Sequence, residues 1–214
     1  MNKEKAKLII QKLDKTYQGA KPALKFNSDY ELLVAVILSA QCTDERVNKV
    51  TAVLFENYDT PEKMLKLSQL ELSKIILPCG LNNSKAKHIL EASKSIVERF
   101  QGKVPNTLEQ LRTLSGVGRK TANVVYSVAF GGDAIAVDTH VQRVSNRIGL
   151  AKSNNPLTTE KQLMKRIDKN MWSKSHHYLI YHGRQVCTAR TPKCSSCVLR
   201  LECEYKDKKV QYDT

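Results

Sequence analysis

From Tyr30 to Ala40 the chain reads Tyr-Glu-Leu-Leu-Val-Ala-Val-Ile-Leu-Ser-Ala, introduced by Asn27-Ser28-Asp29. A capping triplet followed by residues apolar at nearly every position predicts a helix buried on all sides. Such a helix has to be wrapped by others, so this segment sets the class of fold. Its unbroken apolar run, Leu32 to Leu38, is far shorter than the ~20 residues of a membrane span.

The flanking sequence supplies the wrapping. Ala6, Ile9, Ile10, Leu13 and Tyr17 recur at helical spacing, and so do Val47, Val50 and Leu54 behind a capping Thr43. Thr60-Pro61 reads as a cap and first helical residue. Ser68 to Glu71 and Thr107 to Gln110 fit the capping-box pattern, and Asn83-Ser84 suits the start of a helix running to about Phe100. The run Ala134 to Val137 has no second alternating segment to pair with and is expected to be an extended connector. These signals predict an all-α fold of about ten helices, with no flexible linker dividing it.

The 214 residues carry a net charge of +14. A surplus of that size favours polyanionic partners such as nucleic acid. The N-terminus lacks the apolar core and small-residue cleavage site of a secretion signal, so an intracellular, cytoplasmic protein is expected, nucleoid-associated if bacterial.

Leu114-Ser115-Gly116-Val117-Gly118-Arg119-Lys120-Thr121-Ala122 lies near the middle of the chain, with Asp138 eighteen residues beyond the lysine. Glycine at 116 and 118 permits positive φ and close approach of another backbone, while Val117 can anchor the turn inward. With one helix expected to end near Leu114 and the next to start at about Arg119, the turn and the first turn of the second helix present unpaired N–H groups, a ready site for phosphate. Gly-x-Gly alone is equally the signature of an ordinary interhelical turn. Asp138, before Thr139-His140-Val141, suits a helix N-cap.

Four of the six cysteines cluster late: Cys187, Cys194, Cys197 and Cys203, spaced C-x6-C-x2-C-x5-C. In a reducing compartment four thiolates this close suit a metal centre rather than disulfides. Structural zinc and an iron–sulfur cluster both use such a set. Arg190 and Lys193 lie between the first two cysteines, with Arg184 before and Arg200 after, and a pinned loop would aim them at a phosphate backbone.

Taken together, the Gly-Val-Gly-Arg-Lys string, Ala136-Val-Asp-Thr-His-Val141 and the four-cysteine tail resemble the endonuclease III family of helix-hairpin-helix base-excision DNA glycosylases. The resemblance covers essentially the whole chain. It departs at Ser115, where proline is usual, and at Cys42, where alanine is common.

The resemblance implies two helical domains flanking a DNA-binding cleft. Residues 22–131 would hold the helix-hairpin-helix, and 1–21 with 132–214 a [4Fe–4S] cluster on Cys187, Cys194, Cys197 and Cys203. It implies a monomer acting on double-stranded DNA with damaged pyrimidines or abasic sites, independent of membranes. Lys120 would be the nucleophile and Asp138 its electrostatic partner. An amine attacks only when neutral, and a free lysine near pKa ~10.4 is almost wholly protonated at pH 7. The first-turn dipole and Arg119 beside Lys120 are expected to favour the neutral form.

The resemblance further implies that Gly116, Val117, Gly118 and Arg119 grip the backbone. Gln41 would fill the gap left by a flipped nucleotide, Leu81 would be a second wedge, and His140, Ser39 and Asp44 would line the pocket or contact DNA. Two other readings compete. An adenine-type mismatch glycosylase shares the hairpin, aspartate and cluster, but lacks the lysine and carries an additional C-terminal domain. This chain has Lys120 and stops eleven residues after Cys203. A non-enzymatic helix-hairpin-helix DNA-binding protein would not need both Lys120 and Asp138.

Overall fold

The computed structural model describes residues 1–20 and 22–207. Lys21 and 208–214, which belong to the expected second domain, lie outside the described residues. The described chain is helical without strands. In order, the helices are α1 (Lys3–Thr16), α2 (Asp29–Leu38), α3 (Asp44–Leu54), α4 (Pro61–Met64), α5 (Gln69–Ile75), α6 (Asn82–Phe100), α7 (Leu108–Leu111), α8 (Arg119–Ala129), α9 (Thr139–Ile148), α10 (Pro156–Arg166) and α11 (Trp172–Gln185). Short 3-10 turns occupy Leu77–Cys79 and Lys169–Met171. Among the described residues no helix is long and apolar enough to cross a membrane.

The chain divides into two compact units, Pro22–Gly132 and Met1–Lys21 with Asp133–Thr214. In the first, α2 is buried at every position from Tyr30 to Leu38. Ser28 accepts the Glu31 N–H at 3.1 Å, and the Glu31 carboxylate accepts the Asn27 N–H at 2.6 Å. The capping triplet is therefore fastened from both sides, which fixes where the helix starts. Around α2 pack Val47, Val50 and Leu54 of α3, Ile89, Ala92 and Ile96 of α6, and Ala122 and Val125 of α8. The Tyr30 hydroxyl and Ser93 on α6 share a buried hydrogen bond of 2.6 Å. Each fully buried leucine or isoleucine contributes ~1.5–3 kcal/mol of hydrophobic stabilisation.

Three local expectations differ from the structure. Helix α6 begins at Asn82, not behind Asn83-Ser84, and the residue before it, Leu81, is left-handed with no side-chain cap. The asparagines are engaged elsewhere: Asn82 Nδ2 donates to Ser73 Oγ at 2.6 Å, and that hydroxyl donates to Asn83 Oδ1 at 2.7 Å, tying α5 to α6. At Thr107 only half of a capping box forms: the Gln110 N–H donates to the Thr107 hydroxyl (3.3 Å), and the Gln110 side chain accepts from that hydroxyl (3.2 Å). The helix before the glycine turn, α7, ends at Leu111 rather than near Leu114.

The second unit is built on α1, α9, α10 and α11. Ala6, Ile9, Ile10, Leu13 and Tyr17 meet Val141, Val144 and Ile148, with Leu163 and Leu179 completing the core. Ala134 to Val137 is buried and lies outside any helix or strand, and the Ala136 carbonyl is bonded to His176 Nδ1 at 2.7 Å. The ladder partner that sequence could not supply is replaced by a histidine from α11.

Because α2 is enclosed by the rest of its unit, Leu33→Ala is expected to cost ~2–5 kcal/mol in chemical denaturation followed by circular dichroism. A loss below ~1 kcal/mol would show that α2 is not the packed centre.

Candidate active site and nucleic-acid interface

The glycine turn has two different glycines. Gly116 has φ +74°, and a Cβ there would lie 2.8 Å from His88 Cβ, so both backbone conformation and space demand glycine. Gly118 is extended (φ −79°, ψ 179°) and does not use the positive φ that glycine permits. A Cβ on Gly118 would meet nothing within 4 Å. Nothing inside the protein requires glycine there, while an outside backbone approaching α8 would.

Gly118 is the N-cap of α8 and supplies no side-chain cap. The first turn of α8 thus keeps the electropositive N-terminus that favours an anion. Gly118, Arg119 and Lys120 are exposed, and Val117 is buried in the core below. Ser115 is tethered: its hydroxyl donates to Glu91 Oε2 on α6 at 2.6 Å.

Asp138 lies in the other unit. It is half-buried and N-caps α9, with Oδ1 accepting the Val141 N–H at 2.7 Å. That bond fixes the carboxylate at the end of the buried Ala134–Val137 segment. His140 is half-buried in the first turn of α9. Burial pushes its pKa down, against the opposing field of Asp138, and its Nδ1 lies 3.2 Å from Arg143 Nη2. The Arg143 guanidinium also donates to the Gly183 carbonyl (2.8 Å) and the Cys187 carbonyl (3.2 Å). Arg143 therefore joins α9 to the start of the cysteine loop.

Gln41 and Leu81 share an unusual trait: both are exposed non-glycine residues with positive φ, +54° and +50°. Left-handed backbone at such residues costs ~1–3 kcal/mol and persists only where its surroundings impose it. Ser39 caps the end of α2, its hydroxyl donating to the Val36 carbonyl at 2.8 Å, and Asp44 is the half-buried first residue of α3.

Sequence reasoning missed Lys85. It is 3% exposed, and its ammonium donates to the carbonyls of Leu38 (2.8 Å), Ala40 (2.7 Å) and Cys79 (2.9 Å). Burial pushes its pKa down, opposed by the Cys42 and Cys79 thiols nearby. Lys85 sits one turn before Ile89 on the buried stripe of α6, and a cation on an apolar stripe was the available signal. Burial, reinforced by Cys42 beside it, pushes the Cys79 thiol up to about 11.

Cys187, Cys194, Cys197 and Cys203 follow α11, all as free thiols. Cys187 Sγ accepts from Arg147 Nη1 at 3.6 Å, Cys203 Sγ donates to the Arg147 carbonyl at 3.6 Å, and Cys197 Sγ lies 3.5 Å from His182 Nε2. Burial raises the Cys197 pKa, and Cys203, Cys187 and Cys194 each raise it further. The four sulfurs are therefore near enough to feel one another. Four thiolates are a donor set that fits either a zinc ion or an iron–sulfur cluster. Arg190 and Lys193 are exposed on this loop, and the Lys193 N–H donates to the Val186 carbonyl at 2.9 Å.

Residues 34–169 match the profile of the HhH-GPD superfamily base excision DNA repair proteins. The chain is 48% identical to the endonuclease III of Rickettsia conorii, over 92% of this chain and 94% of that one. It is 44% identical to the endonuclease III of Escherichia coli, over 97% and 99%. A solved structure of a trapped endonuclease III–DNA covalent intermediate superposes with a TM-score of 0.91 at 44% identity, covering 95% of this chain and 96% of that one. A thermostable thymine-DNA glycosylase superposes with a TM-score of 0.85 at 25% identity, over 94% and 96%. The chain belongs to the HhH-GPD superfamily of base excision DNA repair proteins, within its endonuclease III family.

Proposed function

We propose that this protein excises oxidised pyrimidines from double-stranded DNA and then nicks the strand 3′ to the abasic site. It is a DNA glycosylase and abasic-site lyase acting through a lysine imine. The reading is carried by the near full-length match to endonuclease III proteins, one of them trapped covalently on DNA.

The geometry of each part supports a role. Phosphate approaches the first turn of α8 over Gly118, where no side chain obstructs it. Lys120, exposed in that turn, attacks the anomeric carbon of the flipped nucleotide. The N-glycosidic bond breaks, its electron pair leaves with the base, and a proton is delivered to the base. The attacking amine loses a proton, and the sugar ring opens as the C1′–O4′ bond breaks and O4′ takes up a proton, giving the imine; this accepts electrons as a proton leaves C2′ and the 3′ C–O bond breaks. Asp138 supports the positive charge that develops on the sugar. Gln41 and Leu81 occupy the gap left by the flipped nucleotide, and His140, Ser39 and Asp44 line the lesion or contact its backbone.

In domain terms, residues 22–131 carry the hairpin and nucleophile, and 1–21 with 132–214 the aspartate and the metal loop. Cys187, Cys194, Cys197 and Cys203 hold a [4Fe–4S] cluster. When bound, that group orders the loop, so that Arg190 and Lys193 are presented to phosphate.

Three outcomes are expected. The protein should nick an oligonucleotide containing one thymine glycol, and borohydride should trap it on that DNA; Lys120→Ala should abolish the trapped species. A shifted band without cleavage would point to a binding protein. Asp138→Asn retains an N-cap and should keep stability within ~1 kcal/mol while losing roughly 10²–10³-fold in excision. Equal activity of parent and Asp138→Asn would remove the charge from the mechanism. The purified protein should contain iron and acid-labile sulfide in equal amounts and be brown; stoichiometric zinc in a colourless protein would contradict the cluster.

A further inference from the structure

Lys85 lies in the first turn of α6 with all three donors of its ammonium engaged by backbone carbonyls. The acceptors come from two separate turns. Leu38 ends α2 and Ala40 directly precedes Gln41, whereas Cys79 closes the 3-10 turn two residues before Leu81. Gln41 and Leu81 are two of the three non-glycine residues with positive φ among the described residues; the third, Gln101, ends α6. One buried cation thus ties the backbone beside both exposed left-handed residues.

The arrangement also answers a local need. The last turn of α2 contains no basic residue of its own, and its carbonyl end is buried. A cation from a neighbouring helix satisfies it. A buried ammonium needs all three donors met, and here the acceptors come from two turns, so satisfying the charge also bridges the backbone before Gln41 and the backbone before Leu81.

We propose that Lys85 is a positioning residue for duplex opening, holding the Gln41 and Leu81 turns at a fixed separation so that both side chains enter the DNA together. Lys85 itself is buried and touches no DNA; it acts through the two turns. The inference rests on Gln41 and Leu81 being the gap-filling residues.

The experiment compares two substrates in single-turnover reactions: a thymine-glycol duplex, where a gap must be filled, and a single-stranded abasic oligonucleotide, where none exists. Lys85→Met, which keeps the aliphatic stem, should lower the duplex rate roughly 10- to 100-fold and leave β-elimination on the single strand within about twofold. Added to Gln41→Ala, the same substitution should lower the duplex rate much less than it does in the parent, since its effect passes through Gln41. Equal loss on both substrates, no loss on either, or full multiplication of the two effects would overturn the proposal. Should Lys85→Met not fold, Lys85→Arg carries the test. It keeps the charge but spreads its donors over a planar fork that cannot reproduce one ammonium's three bonds. Selective duplex loss would again support the proposal, and equal or absent loss would overturn it. The wedge reading is checked separately: if Gln41→Ala and Leu81→Ala leave the duplex rate unchanged, that reading fails and takes the inference with it. If they lower it and the Lys85 variants do not, the Lys85 inference alone fails.

Discussion

A helix buried along its whole length must end somewhere, and its last carbonyls cannot be left dry. In the Pro22–Gly132 unit that problem belongs to α2, and the Lys85 ammonium resolves it. Burying a charge is costly unless it is fully bonded, and three carbonyls at 2.7–2.9 Å meet that condition. The consequence reaches beyond α2. The turn after it and the turn before α6 become one tied piece, and each presents an exposed side chain from left-handed backbone. The site's mobile-looking turns are therefore held from inside the core.

Much of this was legible locally. Ser28, Thr43, Thr60 and Ser68 all cap the helices their neighbours predict, because capping is decided within four residues. The all-apolar segment announced α2 for the same reason. The misses share a cause: long-range partners. Asn83 does not cap α6, because Ser73 of α5 donates to its side chain. Ser115 departs from the usual proline, and its bond to Glu91 of α6 could not be read from sequence. Lys85 reads as an ordinary surface cation unless the carbonyls of Leu38, Ala40 and Cys79 are known to surround it.

The candidate site divides in the same way. Lys120 and Asp138 were singled out by the resemblance to endonuclease III; their glycine spacing and helix-start pattern alone fit an ordinary turn and an N-cap equally well. The structure sharpened the roles of their neighbours. Gly116 serves the protein's own turn, whereas Gly118 leaves an open approach to α8. Asp138 is a helix cap through Oδ1, so its orientation is set by the fold before any substrate arrives. For the cysteines, ligand identity left zinc and iron–sulfur equally open. The cluster reading comes from the likeness to endonuclease III proteins.

The central claim is that the amine of Lys120 forms the covalent bond to the sugar. The most direct measurement is peptide mapping by mass spectrometry of the borohydride-reduced complex with thymine-glycol DNA. The account predicts that the deoxyribose-derived mass falls on Lys120, within the peptide that begins the α8 helix. A modified residue anywhere else, the chain's N-terminal amine included, would contradict it.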